Sequence, residues 1–227
     1  MKTIIGIRHG EAYKNLKDIY GGNGSELTEK GQVQVEGAIT KLKGFLSRVS
    51  ERTIKIYISC PRVQIVETAE FIKSALNVSE IMQDDRFAPI RLGVLDGMSR
   101  ERQRELYPEA VRALELWDKG EGDINDFRVD GAQTAIEHVD QLKQFINGLE
   151  DNSVNILVGT RSDMCALKNI VLGNDPSIPM QYKYLSTDYA NGFVIDMDEM
   201  GNFVENKYKI KTNLSKEKRT DEDFCEK

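Results

Sequence analysis

Apolar positions along the chain follow two alternating rhythms. Short β-branched runs at Thr3–Ile7, Ile54–Ser59 and Val154–Thr160 stand between polar segments and predict buried strands. Each is followed by a stretch with helical spacing. Over residues 28–49 the repeat runs through Val35, Ala38, Ile39, Leu42 and Leu46. Over 61–76 it runs through Ile65, Val66, Ala69 and Ile72, and Pro61 suits a first helical turn. Residues 132–149 are amphipathic through Ile136, Val139, Leu142, Phe145, Ile146 and Leu149, and 162–172 supply a last helix. The charged stretch 98–119 is interrupted by Pro108 and predicts two shorter helices. Late strands, read as edge strands, are expected near 192–196 and 203–208. The almost wholly polar residues 213–227 read as a solvated tail. Alternating strands and helices predict an α/β fold in one domain over residues 1–212, with a mostly parallel central sheet and helices on both faces.

The first strand ends on unusual chemistry. In IIGIRHGEAYKN, residues 4–15, the apolar Ile4, Ile5 and Ile7 lead directly into Arg8, His9, Gly10 and Glu11. The carboxyl ends of such strands are where α/β sheets hold ligands. A cation beside an imidazole there points to a phosphate ester, held by the one and attacked by the other.

Composition narrows the setting. The 227 residues suffice for one large domain, and a 40% hydrophobic, 30% charged composition is that of an ordinary globular protein. A formal net charge of −6 argues against duplex nucleic acid as a partner, because such binding needs a net basic face. The first strand begins too early for a signal peptide, and no apolar run approaches the roughly 18 residues of a membrane span. A cytoplasmic protein with neither a nucleic-acid nor a membrane partner is therefore expected. Cys60, Cys165 and Cys225 are odd in number and widely spaced, which suits a reducing compartment and offers no zinc pattern. No metal ion or cofactor is called for. Inert packing is the expected role of Cys60 and Cys165, since neither has the arginine six residues on that a cysteine phosphatase loop requires.

RHGEAYKN, at residues 8–15, resembles the opening motif of the histidine phosphatase superfamily, which includes the phosphoglycerate mutases. LTEKGQVQ at 27–34, YISCPRVQIVETAEFI at 57–72 and NILVGTRSDMCALKNIVLG at 155–173 follow in that family's order. The resemblance spans about residues 4–173 and implies a three-layer α/β sandwich with its site at the carboxyl ends of the central strands. It also implies that His9 becomes phosphorylated, that Arg8 binds phosphoryl oxygens, and that Asn15 helps shape the phosphate pocket.

Other positions depart from the family pattern. The second arginine, four residues before the threonine of the third of these segments, is replaced by Gln64. The second histidine, expected after the strand read as ending at Thr160, is replaced by Arg161. The usual acid falls on Pro89, and a second glutamate on Gln133. The one other histidine, His138, sits in mid-helix at the flank of an apolar face and reads as a structural or surface residue, not a ligand. Arg62, two positions from Gln64, would be turned about 200° away on a helix and reads as solvated. The site is thus expected to be degenerate. Arg161, at a helix N-terminus, keeps charge for an anion, Gln64 keeps hydrogen-bond donors, and Glu11 and Asp96 are the candidate acids.

Two functions fit. One is capture of a small phosphorylated molecule by Arg8, His9, Asn15, Gln64 and Arg161, with weak or no catalysis. The other is slow or specialised phosphomonoester hydrolysis with His9 as the phosphoryl-accepting nucleophile. Neither fixes the ligand or the oligomeric state.

Overall fold

The computed structural model describes residues 1–49, 52–198 and 203–210. Six strands form one sheet: β1 (Lys2–Arg8), β2 (Thr53–Ile58), β3 (Ile81–Gln83), β4 (Ser153–Gly159), β5 (Gly192–Met197) and β6 (Phe203–Ile210), in the order β3-β2-β4-β1-β5-β6. The four strands from β3 to β1 are parallel, while β5 runs antiparallel to both β1 and β6. β5 is therefore an interior strand, contrary to the expectation that both late strands are edges. Local apolar pattern marks a strand without specifying its neighbours. The tail expected over 213–227 lies outside the described residues.

Among the described residues, seven α-helices surround the sheet: α1 (Tyr13–Leu16), α2 (Glu29–Leu46), α3 (Val63–Leu76), α4 (Arg100–Leu106), α5 (Pro108–Lys119), α6 (Ala135–Asn147) and α7 (Arg161–Val171). Pro108 divides α4 from α5 as expected, occupying the first turn of α5 where its missing N–H costs no bond. Pro61, by contrast, precedes its helix, because α3 starts at Val63.

Side-chain alternation along the strands builds the three layers. Ile5 and Ile7 of β1, with Val154, Ile156 and Val158 of β4, pack against Val35, Ala38 and Leu42 of α2 and Ile65, Ala69 and Ile72 of α3. On the opposite face, Ile4 and Leu157 pack against Val139, Leu142, Phe145 and Ile146 of α6 and Met164 and Leu167 of α7. Burial on both faces explains why β1 and β4 read as continuous apolar runs. With both faces covered, ligands meet such a sheet at its loop-bearing edges, and in α/β sheets that is the carboxyl edge of the parallel strands.

Candidate functional site

Arg8 and His9 are fixed by backbone pairing. Arg8 stands beside Gly159 in the β1–β4 register. His9 N donates to the Gly159 carbonyl at 3.0 Å, Arg8 N to Asn191 at 3.0 Å, and Ala190 N to the His9 carbonyl at 3.1 Å. Side chains then hold the turn that follows. Thr68 Oγ1 accepts from Gly10 N at 3.1 Å and donates to the Gln64 carbonyl at 2.7 Å. Gln34 Oε1 accepts from Glu11 N at 3.0 Å. Thr28 caps α2 by accepting from Gly31 N at 2.9 Å, and its hydroxyl donates to Glu11 Oε1 at 3.0 Å. Gly31 is required by proximity: a β-carbon there would lie 2.0 Å from the Glu11 carbonyl oxygen. The second and third sequence motifs thus act as the frame of the first.

His9 is 4% exposed. Its Nδ1 lies 2.7 Å from the Gly10 carbonyl, which can only accept, so Nδ1 carries the proton and Nε2 keeps its lone pair. Burial, reinforced by the Arg8 charge, lowers the imidazole pKa to about 3, the Gly10 contact opposing the shift. The ring is neutral at physiological pH. That is the state a nitrogen nucleophile needs.

A cavity of about 990 Å³ opens over this turn. Arg8, Lys14, Lys30, Arg62 and Arg161 face it, against the carboxylates of Glu11, Asp18 and Asp188. A chain of formal charge −6 therefore carries a local cationic excess at one place. The Arg161 charge acts on Arg8, and Arg62 and Lys14 act on His9. Arg8 lies over the Tyr189 ring at 3.8 Å, donates through Nη1 to the Thr187 carbonyl at 2.8 Å, and has its buried Nε without a partner among the described residues. Burial, then the Arg62 charge, lowers the Lys14 ammonium to about 8, while Nζ donates to the Gly21 carbonyl.

Arg8, His9, Asn15, Gln64, Arg161 and Glu11 all line this cavity. Asn15 spends its carbonyl oxygen accepting from Ala12 N at 3.0 Å, so its amide N–H groups remain to donate. Gln64 is 1% exposed, and its Oε1 accepts from Ser25 N at 3.2 Å. β4 ends at Gly159, one residue before the expected limit. Thr160 is the N-cap of α7 and Arg161 its first helical residue, and both border the cavity. Burial opposes the Arg161 charge, but Tyr184, Tyr20 and Asp118 hold its pKa above the ordinary value.

The two candidate acids are placed differently. Glu11 accepts from Thr28 and faces Lys30 at 3.8 Å. Asp96 does not line the cavity: it accepts from Gly22 N at 3.1 Å and pairs with Arg62 at 3.6 Å. Pro89 borders the cavity. Gln133 is a brace, donating to Gln141 at 2.6 Å. His138 is buried, with Nε2 3.1 Å from the Ala88 carbonyl and 3.7 Å from Asp163 Oδ1. Burial raises the pKa of both Cys60 and Cys165, in keeping with packing roles.

Arg62 overturns an expectation. It precedes α3 in extended backbone (φ −70°, ψ 138°), so a helical rotation does not apply to it. Its side chain is 22% exposed and lines the cavity instead of lying in solvent. Lys14, Asp188 and Tyr189 were missed altogether. Lys14 adjoins Asn15 in the opening motif, which was a usable signal. Tyr189 comes from an aperiodic segment, which offered none.

The fold corresponds to a known class. A profile of the histidine phosphatase superfamily (branch 1) matches residues 4–189, and the chain belongs to that superfamily. Solved structures agree on the fold. Bacillus stearothermophilus YhfR is 20% identical with a TM-score of 0.69, the match covering 90% of this chain and 95% of that one. A phosphoserine phosphatase variant from Entamoeba histolytica in complex with phosphoserine is 22% identical with a TM-score of 0.67, covering 90% and 94%. A mycobacterial glucosyl-3-phosphoglycerate phosphatase complexed with VO3 is 15% identical with a TM-score of 0.66, covering 91% and 98%. A search of curated proteins found no match.

Proposed function

We propose that the protein binds a small phosphorylated molecule at the Arg8–His9 turn and hydrolyses it weakly or not at all. The observation that carries this reading is the convergence of Arg8, Arg62 and Arg161 on one cavity around a neutral His9. The Arg8 and Arg161 charges act against each other, which favours an anion between them, Arg62 adds a guanidinium that also pairs with Asp96, and the planar forks match phosphoryl oxygens. The names of the structural neighbours, which speak of phosphoserine and of glucosyl-3-phosphoglycerate, support a small phosphorylated ligand.

Binding is better provided for than chemistry. Arg62 replaces the charge lost at Gln64, and Arg161 that of the second histidine. No comparable substitute stands for the leaving-group acid. Pro89 holds the place where the family pattern implies it, Glu11 is engaged by Thr28 and Lys30, and Asp96 lies outside the cavity lining. Loss of general acid catalysis typically costs about 10²–10⁴-fold in rate. The second reading, slow phosphomonoester hydrolysis, is favoured by one specific feature, the unprotonated Nε2 of His9.

A panel of phosphate esters, scored for both thermal shift and phosphate release, tests these readings together. Several esters should raise the melting temperature, while aryl phosphate turnover stays at least about 10²-fold below that of a conventional family member. His9→Ala should abolish whatever turnover remains. Rapid release unaffected by His9→Ala would refute the assignment of this turn as the site.

A further inference from the structure

A second, smaller chamber of about 120 Å³ adjoins the cationic cavity. It lies between the α4–α5 pair and the α6–α7 layer, and the two spaces share Tyr20, Ile90, Leu92, Arg161 and Ser162 as lining. The walls beyond this junction are mostly apolar, built from Leu95, Leu114, Trp117, Ile124, Phe127 and Tyr182. They are also anchored. Trp117 stacks on Tyr182 at 5.8 Å and donates through Nε1 to the Tyr182 carbonyl at 2.7 Å. The Asp118 carboxylate borders the chamber from an exposed position, and the more buried polar groups on the lining are internally bonded. Arg100 donates to Gln103 at 3.4 Å, Gln103 donates to the Leu95 carbonyl at 3.2 Å, and Cys165 donates to the Lys183 carbonyl at 3.4 Å. None of the buried polar atoms left without a partner among the described residues belongs to this lining.

The geometry points to a recognition subsite for an apolar ring carried by the phosphorylated ligand. Apolar cavities of about 150 Å³ stay dry and accept benzene, so this chamber suits one six-membered ring and little more. Arg161 makes the connection. Its guanidinium donates to the Tyr184 hydroxyl at 3.0 Å and lies 5.5 Å from the Tyr20 ring centre and 5.7 Å from that of Tyr184. A phosphoryl group held by Arg8 and Arg161 then directs its organic part along Tyr20 and Tyr184 into the chamber. The ligand class is a phosphate monoester with one small aromatic or branched aliphatic group, as opposed to a polyol phosphate. This inference rests on the proposed phosphoryl site and specifies its substrate.

Non-hydrolysable phosphonates separate the two. Calorimetric titration with methylphosphonate reports the phosphoryl site alone, and benzylphosphonate adds the ring. The benzyl compound should bind at least about tenfold tighter, as burial of a phenyl group requires. Leu114→Trp, which fills the chamber, should erase that advantage. Leu114→Ala, which enlarges it, should shift the preference toward naphthylmethylphosphonate, and a thermal melt checks that each variant is folded. Equal affinity for methyl- and benzylphosphonate would overturn the subsite and leave the phosphoryl site standing. Binding of methylphosphonate without benzylphosphonate would likewise overturn the subsite alone, and failure of both compounds to bind would overturn both readings.

Discussion

His9 carries a cost that can be measured. Its pKa is lowered from an unfolded value of about 6.5 to about 3 by burial and by Arg8, so the unfolded chain binds the extra proton throughout that window. Stability therefore falls as pH drops below about 6.5, by about 2 kcal/mol between pH 7 and 5 for this group alone. In His9→Asn, urea unfolding should show a correspondingly smaller loss over the same range. An unchanged acid dependence would mean that His9 is not buried as a neutral ring. Lys14 acts at the other end of the scale. Its ammonium, lowered to about 8, keeps its charge below that pH and loses it above. Sulfate, a dianion throughout, should bind up to about tenfold more weakly at pH 9 than at pH 7, and Lys14→Met should flatten the trend. Of these residues the sequence revealed Arg8, His9, Asn15 and Arg161 through strand ends and motif. It misplaced Arg62, because whether a residue stands inside or just before a helix depends on a cap that Pro61 alone does not fix.

At the scale of elements, α2 and α3 serve the β1 turn as much as the core. Gly31 shows the conflict between local and tertiary preference. Within a helix alanine ordinarily stabilises by up to about 1 kcal/mol over glycine, and Gly31 stands in the first turn of α2. At position 31 its β-carbon would meet the Glu11 carbonyl oxygen at 2.0 Å, so the helix or the turn must move. Gly31→Ala should therefore lower stability by about 1–3 kcal/mol and weaken anion binding with it, read by denaturant titration and calorimetry on the same preparation. A more stable variant with unaltered binding would contradict the packing described. The helices and the long strands were legible because each buries a periodic face. β3 was not: Ile81–Gln83 is three residues long and offers no period to read. The interior position of β5 also escaped, since pairing with β1 is decided by chain direction and not by local pattern.

Over the whole molecule, a chain of net charge −6 concentrates cations at the carboxyl edge of its parallel strands. The motif order gave the class of fold, and alternation of strand and helix gave its layers. The full wall of the cavity was not readable, because Ser186, Asp188 and Tyr189 reach it from a segment between α7 and β5 that has neither helix nor strand. No helix of the described residues is long and apolar enough to cross a membrane. The most direct measurement on the central claim is calorimetric titration with inorganic phosphate at pH 7 of the unaltered protein and of Arg8→Ala, Arg62→Ala and Arg161→Ala. Arg102→Ala, whose side chain is exposed and paired with Glu105, serves as the control. One saturable site is expected, weakened at least about tenfold by each of the three cavity substitutions and unchanged in the control, as loss of a charge-assisted contact requires. Phosphate binding of equal strength in all five proteins, or none in the unaltered one, would contradict it.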